Sequence, residues 1–163
     1  MGATTMKHKN YINGVWSEPT GGEYYSIVNP GDNTDAIGSF PLSRPEDVDK
    51  AVGAAAEAFK EWGKTLPDKR AQIVYTLISL LEKNVQHLGE VLCREQGKTL
   101  AESVGEVSRG VKECRYIVGE ATRLEGISLP SERPNVPNTV VRVPIGVVAA
   151  ITPWNFPILT PLR

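Results

Sequence analysis

With 163 residues, 40% of them hydrophobic and 23% charged, the chain is sized for one ordinary domain and composed like a soluble globular protein. Eighteen Lys and Arg against nineteen Asp and Glu give a formal charge of -1, which leaves no basic excess to neutralise phosphates and excludes nucleic acid as the main partner. Two cysteines are too few for a disulfide framework, and the absence of a CxxC pair or Cys/His cluster leaves no metal site to propose. Lys7 and Lys9 have no apolar run behind them, so Met1 to Asn10 does not read as a secretory signal. No stretch reaches the roughly eighteen apolar residues that a membrane span needs. A reducing, cytoplasmic location follows as the expectation.

The first local signal is Tyr11-Ile12-Asn13-Gly14-Val15-Trp16, where Asn-Gly between apolar pairs predicts a two-residue hairpin. Tyr24 to Val28 reads as a strand closed by the turn Asn29-Pro30-Gly31-Asp32, and a short strand follows around Ala36 to Phe40. Ser43-Arg44-Pro45-Glu46 has the form of a capping box with an early proline, so a helix should start there. Its inward face would be Val48, Ala51, Val52, Ala55, Phe59 and Trp62. Pro67-Asp68 opens a second helix with Ile73, Val74, Leu77, Leu80 and Leu81 inward, continuing or restarting through Val85, Leu88 and Leu92 until Gly97 stops it.

A third helix spans about Thr99 to Leu124, on the stripe Leu100, Val104, Val107, Val111, Cys114, Val118 and Ala121. Cys114 lies in that stripe and Cys93 adjoins the preceding one, so both read as core residues rather than nucleophiles. Ser128 to Asn138 carries three prolines and no periodicity, which makes it the best boundary in the chain. Thr139 to Val143 is strand-like. Beyond Pro144, Ile145 to Ile151 is a continuous apolar run, the pattern of a strand buried on both faces of a parallel sheet.

Thr152-Pro153-Trp154-Asn155-Phe156-Pro157 follows that run at once. Ligands of open α/β sheets bind beyond the carboxyl ends of the strands, so an amide and an indole placed there can meet one. A proline-rich turn packing its aromatic rings onto the sheet explains the same residues equally well.

The run Pro144-Ile145-Gly146-Val147-Val148-Ala149-Ala150-Ile151-Thr152-Pro153-Trp154-Asn155-Phe156-Pro157 resembles the segment of aldehyde dehydrogenases that carries their oxyanion asparagine. Tyr11-Ile12-Asn13-Gly14, Val28-Asn29-Pro30, Glu95-Gln96-Gly97-Lys98-Thr99-Leu100 and the helix bearing Arg115-Tyr116 are similar to the same family, so the resemblance covers nearly the whole chain. It implies an α/β fold in which the three helices cover the start of a Rossmann-like parallel sheet, with NAD or NADP as cofactor and an aldehyde as substrate. It also implies the chemistry: a cysteine thiolate attacks the aldehyde to give a thiohemiacetal, hydride passes to the nicotinamide, and water hydrolyses the thioester. Asn155 would then donate its side-chain amide to the developing oxyanion, a contact worth about 2.7–4 kcal/mol of barrier. Ile151, Thr152, Pro153 and Trp154 would line the cofactor groove.

The family's nucleophilic cysteine, general-base glutamate, cofactor-turn glycine and ribose-contacting lysine find no match in this sequence. Neither Cys93 nor Cys114 sits in the nucleophile's motif, and Arg163 is not the lysine. On this resemblance residues 1–125 are the N-terminal part of the cofactor-binding domain, 126–144 an arm pairing subunits of a homo-oligomer, and 145–163 the first sheet strand with its turn. The catalytic domain is absent.

Lys98 lacks the upstream glycine of a phosphate loop and reads as the junction between two helices. His8, in a frayed terminus, and His87, on a helix, read as solvated. Glu106 aligns with an acidic residue that binds a structural monovalent cation in some relatives, but it reads better as a solvated helix charge, beside Glu102, Lys112 and Glu113 on an exposed face. The leading expectation is a truncated aldehyde dehydrogenase, inactive alone. Its Glu95–Leu100 and Gly105–Gly110 segments resemble semialdehyde dehydrogenases, with 2-oxoglutarate semialdehyde first and succinate semialdehyde next. The alternative is a non-catalytic module that assembles with a longer homologue or binds nucleotide weakly.

Overall fold

The computed structural model describes residues 6–163, so the reading of the extreme N-terminus lies partly outside the described residues. Asn10–Ile12 (β1) and Val15–Ser17 (β2) form the expected hairpin, with Tyr11 opposite Trp16. Asn13 and Gly14 take φ of 51° and 77°, the left-handed pair that a two-residue turn requires. Tyr24–Asn29 (β3) and Asp32–Pro41 (β4) pair antiparallel over a longer span than the sequence suggested. The Asn29 side chain closes their turn by accepting the Gly31 N–H at 2.9 Å.

His8 is not solvated. Its N–H donates to the Ser39 carbonyl at 2.8 Å, and its ring stacks on Phe40 with centroids 4.4 Å apart. Backbone pairing along β4 holds this segment where frayed chain was expected.

Four long helices follow rather than three: Pro45–Trp62 (α1), Pro67–Lys83 (α2), Val85–Gln96 (α3) and Leu100–Val118 (α4). The expected second helix divides at Asn84, whose backbone leaves helical geometry at φ -115° and ψ 13° while its side-chain amide donates to the Leu80 carbonyl at 2.7 Å. A short polar side chain that bonds the preceding turn competes with helix continuation. The start of α1 also lies one residue later than the sequence implied. Arg44 is the cap, and Asp47 rather than Glu46 supplies the carboxylate, accepting the Arg44 N–H at 3.0 Å. Buried Asp47 accepts the Thr20 N–H as well, which pins the loop before β3 onto the helix.

Helix α4 is the central element. Ala71 and Ile78 of α2 pack with Val111, Cys114 and Val118 of α4, flanked by Val74, Leu81, Ala121 and Leu162. Cys114 is thus core, as expected, and burial pushes its thiol up. On α2 the expected inward set is only partly right, since Ile73, Leu77 and Leu80 are exposed. The helix is apolar on two adjacent stripes, and α4 covers one of them. Val48, Val52 and Trp62 on α1 are uncovered too. The strands attach to the helices through Arg94 of α3, which grips Asp35 of β4 at 2.9 and 2.6 Å. That guanidinium, helped by Asn29, holds the Asp35 carboxyl down to about 2.

Beyond a 3-10 turn at Gly119–Thr122, Ile127–Leu129 (β5) and Asn138–Val140 (β6) make an exposed antiparallel hairpin. The apolar run Ile145 to Ile151 has no regular secondary structure and is not a strand, and every sheet among the described residues is an antiparallel pair. A strand buried on both faces needs a neighbour along each edge, and the chain supplies none, so Ile145 is 91% and Ile151 98% exposed. A single helical turn, Leu159–Leu162 (α5), then packs on α4.

Two measurements check this arrangement. Ile78→Ala should lower unfolding free energy by about 2–5 kcal/mol, whereas Ile73→Ala on the same helix should stay within about 0.5 kcal/mol, both read from urea midpoints. Amides of Val147 to Ile151 should exchange with deuterium at nearly unprotected rates in the monomer; protection equal to that of α4 would contradict the structure.

Candidate active site

The junction between α3 and α4 builds the site. Gly97 ends α3 at φ 73°, its N–H bonded to the Cys93 carbonyl at 2.8 Å, and a Cβ there would meet the Pro30 ring at 2.9 Å. Thr99 caps α4 by accepting the Glu102 N–H at 3.3 Å, and Glu102 reaches back to the Thr99 hydroxyl at 2.7 Å. Two adjoining helix ends therefore fix the backbone on either side of Lys98. The Cys93 thiol donates to the Lys98 carbonyl at 3.0 Å, a structural use of that cysteine.

From this junction Gln96 and Lys98 reach the turn that carries Asn155. The Gln96 side-chain amide donates to the Trp154 carbonyl. The Lys98 ammonium donates to the Asn155 carbonyl at 3.0 Å, lies 4.8 Å from the centre of the Phe156 ring, and pairs with Glu106. Glu106, 5% exposed, accepts the N–H groups of Ile158 at 3.0 Å and Leu159 at 3.2 Å. Gly110 leaves room for this seat, because a Cβ there would meet the Leu162 side chain at 3.0 Å.

Glu106 is therefore neither solvated nor part of an exposed charged face. Burial pushes its carboxyl up, but the Lys98 ammonium and the two amides together outweigh that and hold it below the ordinary carboxylate value. The sequence did carry a trace of this. Ser103, Glu106 and Gly110 recur at steps of three and four beside the apolar stripe, a small–acid–small row that marks a close approach. Lys98 is the helix junction that was expected, with a role the spacing did not reveal.

The Asn155 side chain is exposed and lines a groove of about 440 Å³ together with Lys98, Glu102, Gly105, Arg109 and Phe156. Ile151, Thr152, Pro153 and Trp154 lead up to it as an exposed strip, with Trp154 83% uncovered. One turn along α4 from Arg109, Glu113 accepts from Arg109 at 2.7 Å and from Arg163 at 2.6 Å, so it too is less solvated than the sequence suggested. Arg163 and then Arg109 draw its carboxyl down to about 2. Among the described residues no group of three His, Cys, Asp or Glu gathers as a metal cluster, and no helix is long and apolar enough to cross a membrane.

The helices seat an asparagine-bearing turn beside a groove, after an unpaired apolar run, in a mixed α/β chain. Residues 16–163 match the aldehyde dehydrogenase family, and the chain belongs to that family. Malonate-semialdehyde dehydrogenase of Halalkalibacterium halodurans is 38% identical over 159 residues, 98% of this chain and 33% of that protein. Among solved structures, an NAD-dependent aldehyde dehydrogenase from Sinorhizobium meliloti matches with TM-score 0.91 and 28% identity, over 97% of this chain and 32% of that one. The NADP-dependent glyceraldehyde-3-phosphate dehydrogenase from Bacillus halodurans C-125, solved with NADP, matches with TM-score 0.86 and 32% identity, over 96% and 33%. The chain has the fold of the N-terminal part of these enzymes and spans about a third of the length of the relatives it matches.

Glu113 supplies a pH test of the contact between α4 and Arg163. Its folded pKa is depressed, so its pairing stabilises the fold fully above the ordinary 4.5 and is lost as pH falls towards about 2. Arg163→Gln should raise the Glu113 midpoint followed by carbon-detected NMR. A midpoint unchanged in the variant would show that the Arg163 contact is not made in solution.

Proposed function

We propose that the chain is the N-terminal part of an NAD- or NADP-dependent aldehyde dehydrogenase that oxidises a semialdehyde to a carboxylate, and that these 163 residues do not catalyse the reaction alone. The observation that carries the reading is the Asn155 turn, held by the α3–α4 junction beside a groove large enough for a short substrate. When bound, the cofactor supplies the hydride acceptor. The strip Ile151 to Trp154 fits such a group, since it offers an exposed indole, an exposed branched side chain and main-chain groups free of sheet pairing. Asn155 contributes a neutral carboxamide, which donates to a developing oxyanion without pairing permanently with a nearby thiolate.

Substrate choice is argued from Arg109. Its Nε is bonded to Glu113, and Arg109 lines the exposed groove that Asn155 also lines. Guanidinium forks recognise carboxylates bidentately, and malonate, succinate and 2-oxoglutarate semialdehydes all carry one. The semialdehyde named for the Halalkalibacterium relative agrees with this class.

A second reading has its own support. The β5–β6 hairpin exposes Ile127, Leu129 and Val140, an apolar edge suited to pairing with another chain, so the arm would make this a module assembling with itself or a longer homologue.

Three assays separate these possibilities. Purified chain mixed with NAD or NADP and each semialdehyde should produce no reduced nicotinamide; turnover would overthrow the first reading, because Cys93 bonds the Lys98 carbonyl and Cys114 is buried in the core, leaving no nucleophile beside Asn155. Joined in frame to the remainder of the Halalkalibacterium relative, Arg109→Met should raise KM for the semialdehyde about tenfold or more and leave an uncharged aldehyde unaffected. Light scattering should show species larger than the 17.8 kDa chain, reverting to monomer with Ile127→Lys; a monomeric parent chain would remove the case for the arm.

A further inference from the structure

We infer that Gln96, Lys98 and Glu106 are positioning residues for Asn155, acting as a three-point clamp on the backbone at both sides of it. The inference rests on the reading of Asn155 as the oxyanion donor, and its structural half can be tested apart from that reading.

The geometry is specific. Preceding Asn155, the Trp154 carbonyl is held by the Gln96 amide; at Asn155 itself, the carbonyl is held by Lys98; following it, the amides of Ile158 and Leu159 are held by one oxygen of Glu106. The other Glu106 oxygen pairs with Lys98, so the two anchors are joined to each other. Phe156 packs its ring under the same ammonium. None of these bonds uses the Asn155 carboxamide, which stays exposed and available. Main-chain groups are thus immobilised while the reactive side chain is left free, the arrangement a preorganised donor requires.

The clamp has no competitor within the described chain. From Val141 to Pro153 no backbone group takes part in a strand, so nothing upstream fixes the turn. Leu159 is 2% exposed against α4, which secures the downstream side only. The position of the carboxamide is consequently set by side chains more than fifty residues earlier in sequence, about Gln96 to Glu106. A buried carboxylate serves here better than a neutral acceptor, because the amides and the ammonium all point at it and a charged acceptor strengthens each bond.

The experiment uses the whole 163-residue chain and site-resolved amide exchange with backbone relaxation. Glu106→Gln keeps shape and one acceptor oxygen but loses the charge; Gln96→Ala removes the partly exposed anchor. Expected is a tenfold or greater loss of protection at Ile158 and Leu159 in Glu106→Gln, and lowered order parameters at Trp154 and Asn155 in both variants, with α2 amides unchanged. A uniform loss across α2 and α4 would mean these residues serve general stability, and an unchanged turn would mean that they do not position it; either overturns the inference. In the in-frame fusion to the relative's remaining segment, Gln96→Ala should lower kcat with little change in KM for the cofactor. Combined with Asn155→Ala it should add little further loss, since both act through one donor. If Asn155→Ala itself leaves kcat intact, the oxyanion reading fails while the exchange result still stands.

Discussion

The structure turns on one buried carboxylate. Glu106 lies inside the contact between α4 and the last residues of the chain, where an unpaired charge would be expensive. It is tolerated because both oxygens are paired: Lys98 on one, the Ile158 and Leu159 amides on the other. Those bonds do two jobs. They bind the α3–α4 junction to α4, and they attach a terminal segment that is connected to the rest only through an unpaired run. Apolar side chains of equal volume could fill the same space, but they could not satisfy two backbone amides that would otherwise be orphaned beside Leu159.

Coverage of the apolar surfaces follows a single rule. Where α4 is the neighbour, side chains are buried: Ile78, Val111, Cys114 and Val118 form the core, and Leu159 closes one end. Where no element of the chain is available, residues of the same type stand in solvent, including Ile73 and Leu80 on α2, Val52 on α1 and most of Ile145 to Ile151. A chain that spans about a third of its relatives' length presents faces whose partners it does not contain. Burial here reports neighbours rather than hydrophobicity.

That rule also explains what the sequence disclosed. Asn13-Gly14, Gly97 and the α4 stripe were all legible, because each is a local requirement of backbone geometry or periodicity. The division of α2 and α3 at Asn84 was only half legible, since apolar spacing continues across it. The inward face of α2 was misjudged for a related reason: two neighbouring stripes are both apolar, and periodicity does not say which one meets α4. The family and the Asn155 turn could be read from Pro153-Trp154-Asn155-Phe156-Pro157. What holds that turn could not, because Lys98 and Glu106 sit on charged stretches of helix where solvent exposure is the usual outcome and their partners lie more than fifty residues away. Only the small residues Ser103 and Gly110 hinted that something packs closely along that side.

The two halves of the proposed site are held to different degrees, and the difference has a physical sense. Asn155 is tied down by side chains of the α3–α4 junction, and α4 is part of the helical core, so its location does not wait on a sheet. Ile151 to Trp154 have no such ties except at the Trp154 carbonyl, and on the proposed reading their cofactor surface would become defined only when strands pair along both edges. An oxyanion donor has to stand still before the reaction, because its contribution comes from dipoles that need no reorganisation as charge develops. A groove wall that contacts its ligand over many weak points tolerates adjustment on binding. On the proposed reading the chain places a buried ion pair behind the one group whose geometry must be fixed in advance.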